Sequence, residues 1–118
     1  MKTLVLGAST NPSRYSYLAI NRLVTNGYKV CAIGTKDGTV EGIKITVKKI
    51  MFENIDTVTV YVAAKNQADY YTYIIDLKPR RVLFNPGTEN PLFEQLLTKN
   101  NIEFERACTL VLLSLGVY

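Results

Sequence analysis

The chain has 118 residues, of which 47% are apolar and 20% charged, enough for one hydrophobic core of ordinary domain size and too few for a two-domain enzyme. Histidine is absent, and Cys31 and Cys108 are the two cysteines. Their number excludes a disulfide framework and their spacing a metal site, while the missing imidazole removes the commonest base at neutral pH, the usual zinc ligand and a phosphohistidine relay.

A net charge of +4 favours an anionic small molecule as ligand. The basic residues Lys36, Lys48, Lys49, Arg80 and Arg81 are scattered, which reads as a solvated surface and not as a nucleic-acid stripe. From the amino terminus, Lys2-Thr3-Leu4-Val5-Leu6 forms a strand that reaches Gly7 before the hydrophobic region of a signal peptide could be completed, so the expected location is the cytoplasm. After the small-residue loop Gly7-Ala8-Ser9-Thr10-Asn11-Pro12, residues 14–26 turn helical. The stripe of that helix is Tyr15, Leu18, Ala19 and Leu23, widened by Ile20 and Val24, and Asn26-Gly27 supplies a left-handed stop. Residues 28–33 form the next strand, completing one βαβ unit.

A helical turn over 46–52 comes next, followed by a strand at 57–62; Ile43-Lys44-Ile45 before them reads either as connecting chain or as a short edge strand. Residues 66–77 are expected to be helical and are stopped by Pro79, and 81–84 form a strand. Asn90-Pro91 open another helix as cap and first residue, with Leu92, Phe93, Leu96 and Leu97 on its buried face. A last strand at 102–105 leads to an apolar tail over 110–117. The tail is interrupted by Ser114 and Gly116 and is far shorter than the ~20 residues that cross a bilayer, so it either packs into the core or supports a homodimer contact. The clustered Tyr70, Tyr71 and Tyr73 are read as packing residues, as is Cys31.

Strands alternating with helices argue for an α/β, Rossmann-like, doubly wound and mainly parallel sheet with helices on both faces, spanning residues 1–118 as one domain. With the edge strand counted third, the order is 3-2-1-4-5-6, and the switch point falls between the loops after Leu6 and Val62. Free N–H groups at a helix start can bind an anion there. The Gly7 loop has the small residues and hydroxyls for a phosphate, but it is neither a Gly-x-Gly-x-x-Gly nor a Walker motif, and it also reads as a capped turn.

Gly34-Thr35-Lys36-Asp37-Gly38 follows the second strand. Lys36 could hold a phosphate near a ribose and Asp37 a ribose hydroxyl, two roles that compete; a surface loop with one ion pair fits as well. Ala63-Ala64 and Asn85-Pro86-Gly87-Thr88-Glu89-Asn90 are further small-residue loops on the same edge. Glu89 reads as a helix-dipole partner before it reads as an acid catalyst, and Cys108 as a small buried hydrophobe before a nucleophile.

The ordered set Gly7-Ala8-Ser9-x-Asn11-Pro12-Ser13-x-Tyr15-Ser16, Gly27-Tyr28-x-Val30, Lys36, Gly42, Asn85-Pro86-Gly87 and Cys108-Thr109-Leu110-Val111 resembles the small stand-alone CoA-binding proteins. Their fold is similar to the CoA-binding domain of the succinyl-CoA synthetase α subunit. The resemblance implies that Gly7, Ala8, Ser9, Asn11 and Ser13 face a CoA diphosphate and that Thr35 and Lys36 lie near the adenosine phosphate. It further implies that Ala63 and Ala64 lie near the nucleotide or pantetheine, with Pro86, Gly87 and Cys108 toward the thiol end.

Gly34-Thr35 departs from the Asn-Pro usual at that point in relatives, and Ala63-Ala64 lacks the proline often found there. The implied function is noncovalent binding of CoA or an acyl-CoA, a small nucleotide ligand, with no metal, nucleic acid or membrane partner. Two alternatives stay open: a small enzyme acting on an acyl-CoA or dinucleotide through Glu89 or Cys108, and a partner-binding domain whose phosphate loop has lost its ligand.

Overall fold

A computed structural model describes residues 2–118. Strand β1 (Lys2–Ala8) is central and pairs in parallel with β2 (Lys29–Gly34) on one side and β5 (Ile55–Val60) on the other. It therefore has no edge exposed to water, and Leu4, Val5 and Leu6 are fully buried. The pleat sends alternate residues to opposite faces. Leu4 and Leu6 join one hydrophobic cluster with Val58, Val60 and Phe84, and Val5 joins another with Ala32 and Ile45.

Beyond β2 lies a hairpin of β3 (Gly38–Val40) and β4 (Ile43–Thr46), and beyond β5 lie β6 (Arg81–Phe84) and β7 (Glu103–Arg106). The sheet order is β3-β4-β2-β1-β5-β6-β7, parallel except for the β3–β4 pair. This is the expected 3-2-1-4-5-6 order with one antiparallel edge strand added. The addition is made by a two-residue turn in which Glu41 has φ 50° and Gly42 φ 77°, the paired positive angles that let a tight hairpin follow the twist of its strands.

Helix α1 (Tyr15–Thr25) and the short α4 (Thr109–Ser114) contact each other and cover the Val5 face. Helices α2 (Tyr71–Leu77) and α3 (Pro91–Lys99) cover the Leu4 face through Tyr73, Ile74, Phe93 and Leu97. Both faces of the parallel sheet are thus covered, as its continuous apolar strands require. No described helix is long and apolar enough to cross a membrane.

Four local expectations are corrected. Residues 46–52 are not helical. Thr46 and Val47 are β-branched, the backbone closes short turns from Ile50 N–H to Lys48 O and from Phe52 N–H to Ile50 O, and the Tyr73 hydroxyl captures the Ile50 carbonyl. The segment 66–77 is α-helical only from Tyr71; before it come 3-10 turns at Ala64–Asn66 and Ala68–Tyr70. These turns direct the Gln67 side chain inward, where it is fully buried.

The phase of α1 also differs. Ser16, Ala19, Ile20 and Leu23 are its buried residues, while Tyr15 is 71% exposed. On α3, Leu92 is exposed and Glu94 is buried in a fork with Arg106, both bonds at 2.8 Å. The apolar tail divides: Leu113 and Tyr118 pack on the second cluster, whereas Val111, Leu115 and Val117 face outward. Tyr73 is buried and Tyr71 stacks on Phe93 at 4.5 Å, so packing accounts for these two tyrosines. Cys31 is half-buried against the Leu4 cluster, and burial raises its thiol pKa.

Candidate functional site

Sheet order reverses at β1, and a ligand crevice is favoured outside the carboxyl ends of the strands at such a point. The chain has a cavity of about 830 Å³ there. Its first wall is the β1–α1 loop. Gly7 has φ 94°, and a Cβ there would stand 2.9 Å from the carbonyl carbon of Tyr61, so only glycine fits where the two strand tips cross. At Gly34 a Cβ would meet the Ala8 carbonyl oxygen at 2.3 Å, and Ala8 pairs with Gly34 after a register shift in β1. The tips of β1 and β2 thus touch through bare backbone at Gly34.

Seven of the residues singled out from the sequence line this one cavity: Gly7, Ala8, Ser9, Thr35, Ala63, Pro86 and Gly87. Asn11, Ser13, Lys36, Ala64 and Cys108 are not in its lining. The Asn11 side-chain oxygen accepts from both the N–H (3.0 Å) and the hydroxyl (2.8 Å) of Ser13, and Asn11 N–H donates to the Ser9 hydroxyl at 3.1 Å. These residues satisfy one another; Asn11 and Ser13 are exposed and Ser9 is half-buried. Lys36 is exposed one residue beyond Thr35, Ala64 opens a 3-10 turn, and Cys108 is the residue that precedes α4.

The Pro86-Gly87 loop is held from below. Gln67 donates to the carbonyls of Val62 and Thr88, both at 2.8 Å, and accepts from Asn90 at 2.9 Å. Asn90 also caps α3 by accepting from Phe93 N–H. Asn85 donates to the Thr59 hydroxyl (2.7 Å) and the Val60 carbonyl (2.9 Å) and accepts from Thr109 N–H (2.8 Å). A buried polar network with every member paired fixes geometry, because each missing partner would leave a group unsatisfied away from water. Within the loop, Glu89 accepts from Gly87 N–H at 2.9 Å, so its carboxylate closes the turn.

The sequence assigns no ligand role to several lining residues, namely Arg14, Ser16, Lys65, Asp69 and Tyr70, although Ser16 stands in the motif set and Tyr70 reads there as packing. The signal for Ser16 was the phase of α1, since a stripe counted from Ala19, Ile20 and Leu23 reaches back to it. Lys49 lies with its ammonium 5.3 Å from the centre of the Tyr70 ring and donates to the Asp69 carbonyl, pinning the segment after β4 to the rim. Asp37 is also committed, its carboxylate accepting from Val47 N–H at 3.1 Å.

Tyr61 lines the cavity, yet its hydroxyl is enclosed and has no hydrogen-bond partner among the described residues. Burial pushes its pKa far above the ordinary phenol range, so it stays neutral. No group of three or more metal-ligating side chains occurs among the described residues.

A family model described as a CoA binding domain matches residues 1–114. Among curated proteins nothing matches. A crystal structure of an uncharacterized protein is 47% identical, covers 99% of this chain and 97% of its own, and superposes with a TM-score of 0.96. A Thermus thermophilus protein, cell-free ID.343, is 22% identical over 99% of this chain and 90% of its own, with a TM-score of 0.89. The dinucleotide-forming acetyl-coenzyme A synthetase 1 of Ca. Korarchaeum cryptofilum, solved with phosphate and ADP, is 16% identical. That match covers 89% of this chain and 25% of the synthetase chain, with a TM-score of 0.75. At 22% and 16% identity the likeness is one of fold.

Proposed function

This chain belongs to the CoA-binding domain family, and from that premise we propose that it binds CoA or an acyl-CoA noncovalently in the cavity at the tips of β1, β2, β5 and β6. The observation that carries this reading is the cavity wall itself. Gly7, Ala8, Ser9, Gly34, Ala63 and Gly87 meet in one place, where small side chains let a long polar ligand run against main-chain amides and carbonyls. Such clefts usually lie between ~300 and ~1,000 Å³, and this one, at about 830 Å³, can take a nucleotide and part of its arm. In this reading the phosphates lie by the Gly7 loop and the pantetheine arm runs over Ala63 toward Pro86 and Gly87.

Asp37 accepts from Val47 N–H through one carboxylate oxygen, and in this reading Lys36, beside the lining residue Thr35, meets a phosphate on the adenosine ribose. The protein acts in this reading as a cytoplasmic binder, sensor or carrier: the Glu89 carboxylate closes its own loop and Cys108 stands outside the cavity lining.

Calorimetric titration with CoA, NAD and ATP tests the reading. Saturable heat with CoA and little with NAD is expected; heat with NAD and none with CoA overturns it.

A further inference from the structure

One lysine lines the cavity among the described residues, and its amine is unengaged. Lys65 follows Ala63 and Ala64 into the 3-10 turn after β5 and is exposed. Its side chain makes no hydrogen bond, ion pair or ring contact among the described residues. Lys49 is the contrast: it donates to the Asp69 carbonyl and lies against the Tyr70 ring, so its amine is held at the rim.

The loop that carries Lys65 is tied to the loop after β6. Gln67, two residues further on, donates to the carbonyls of Val62 and Thr88, both at 2.8 Å. Pro86, Gly87 and Thr88 line the cavity together with Ala63 and Lys65. A lysine amine rides on a flexible four-carbon stem, so it sweeps the space between the two loops. That space is where the reading of the cavity as an acyl-CoA site puts the end of the pantetheine arm, and with it the thioester. A thioester carbonyl is attacked by an unprotonated amine, and holding the two in one cavity replaces a bimolecular encounter with a local one.

We propose that Lys65 is an acylation site, modified by the acyl-CoA that the cavity holds. The Lys65 nitrogen adds to the thioester carbonyl carbon, the carbon–sulfur bond breaks, and an amide forms on the side chain. CoA leaves as its thiol, the proton lost by nitrogen balancing the one gained by sulfur. The amide carries no charge, so the acylated chain holds an anionic ligand less tightly and keeps a record of the acyl-CoA it has met. The proposal rests on the acyl-CoA reading and adds a covalent outcome to it.

The test is incubation of the wild-type protein with micromolar acetyl-CoA, followed by peptide mass spectrometry of every lysine, alongside calorimetric titration with CoA. Lys44, Lys78 and Lys99 are exposed and outside the cavity lining, and they report surface reactivity. A bound partner within reach of a flexible side chain has an effective concentration on the order of millimolar, so Lys65 should be acetylated at least about tenfold faster than these three. Acetyl-pantetheine, which has the thioester without the nucleotide, should remove the preference, as should excess CoA. In Lys65→Arg, total incorporation should fall to the level set by the surface lysines, with circular dichroism confirming the fold.

Heat with CoA but acetylation of Lys65 within twofold of Lys44, Lys78 and Lys99 overturns the proposal and leaves the CoA reading standing. Lys36 or Lys49 acetylated ahead of Lys65 also overturns it, because the thioester then lies elsewhere. An equal preference for Lys65 with acetyl-pantetheine overturns it as well, since the bound nucleotide then plays no part. No heat with CoA and no preference among the lysines overturns the proposal and the CoA reading together.

Discussion

Two loops line the same cavity and are held by opposite means. The β1–α1 loop is tied by hydrogen bonds between residues two apart, and Ser9 is only half-buried while Asn11 and Ser13 are exposed. The loop after β6 is tied by Asn85, Gln67 and Asn90, none more than 6% exposed, through bonds that span 20 residues or more. The first is a local shape that a short peptide stretch can hold. The second exists only once four segments of chain have come together, so it is part of the core although it ends at a ligand wall.

That difference predicts unequal costs. Asn85→Ala removes two donated bonds and one accepted bond at a site 2% exposed, stranding Thr109 N–H and the Val60 carbonyl. A loss of about 2–4 kcal/mol of folding stability is expected, at the scale of buried groups left unpaired in a network. Urea denaturation measures it; a loss below about 1 kcal/mol would show that the loop is not anchored as described.

The counterpart is Asn11→Ala in the exposed loop, which removes the acceptor of two short-range bonds. Water can replace those bonds, and the expected cost is about 0.5–1 kcal/mol. If the two variants lost equal stability, the contrast between a local and a distributed loop would collapse.

The same division separates what the sequence discloses from what it hides. Features settled by neighbours in the chain are legible: the buried strands from their apolar runs, the stop at Asn26-Gly27 with Gly27 at φ 82°, and the cap at Asn90 with Pro91 behind it. The sheet order follows from alternation and crossover handedness. Gly7, Ala8 and Ser9 could be placed because a loop after the first strand of such a sheet has one position.

Features settled at long range are not legible. Gln67 looks like any polar residue in a helical stretch, and nothing nearby says that its amide will reach Thr88. Residues 46–52 read as a helical turn despite the β-branched Thr46 and Val47, but Tyr73 and Asp37 capture their backbone. The exchange of Tyr15 for Ser16 on the buried side of α1 is a rotation of less than one residue in phase. It decides which hydroxyl reaches the cavity, and the periodicity of an eleven-residue helix is too coarse to fix it.

A pH series sharpens the comparison at its smallest expected effect. The network beneath Pro86 consists of amides, hydroxyls and backbone groups, which carry no charge in the acid range. Asp56, near the start of β5 and away from the cavity, differs: the Arg80 guanidinium, bonded at 2.8 and 3.1 Å, and secondarily the Thr57 hydroxyl, lower its pKa, with burial opposing. A carboxyl lowered on folding stabilises the protein above its unfolded value of ~3.9, and that stabilisation is lost as pH falls through the lower folded value.

Because the Arg80 side chain is 53% exposed, solvent screens the pair, and its worth is below about 1 kcal/mol. In urea midpoints taken from pH 7 to pH 2, the gap between wild type and Asp56→Asn should therefore be small at neutral pH and close in acid. The larger gap between wild type and Asn85→Ala should stay constant across the series. A gap for Asn85→Ala that closed along the same course as that for Asp56→Asn would mean that charge, and not the uncharged network, holds the loop against the cavity.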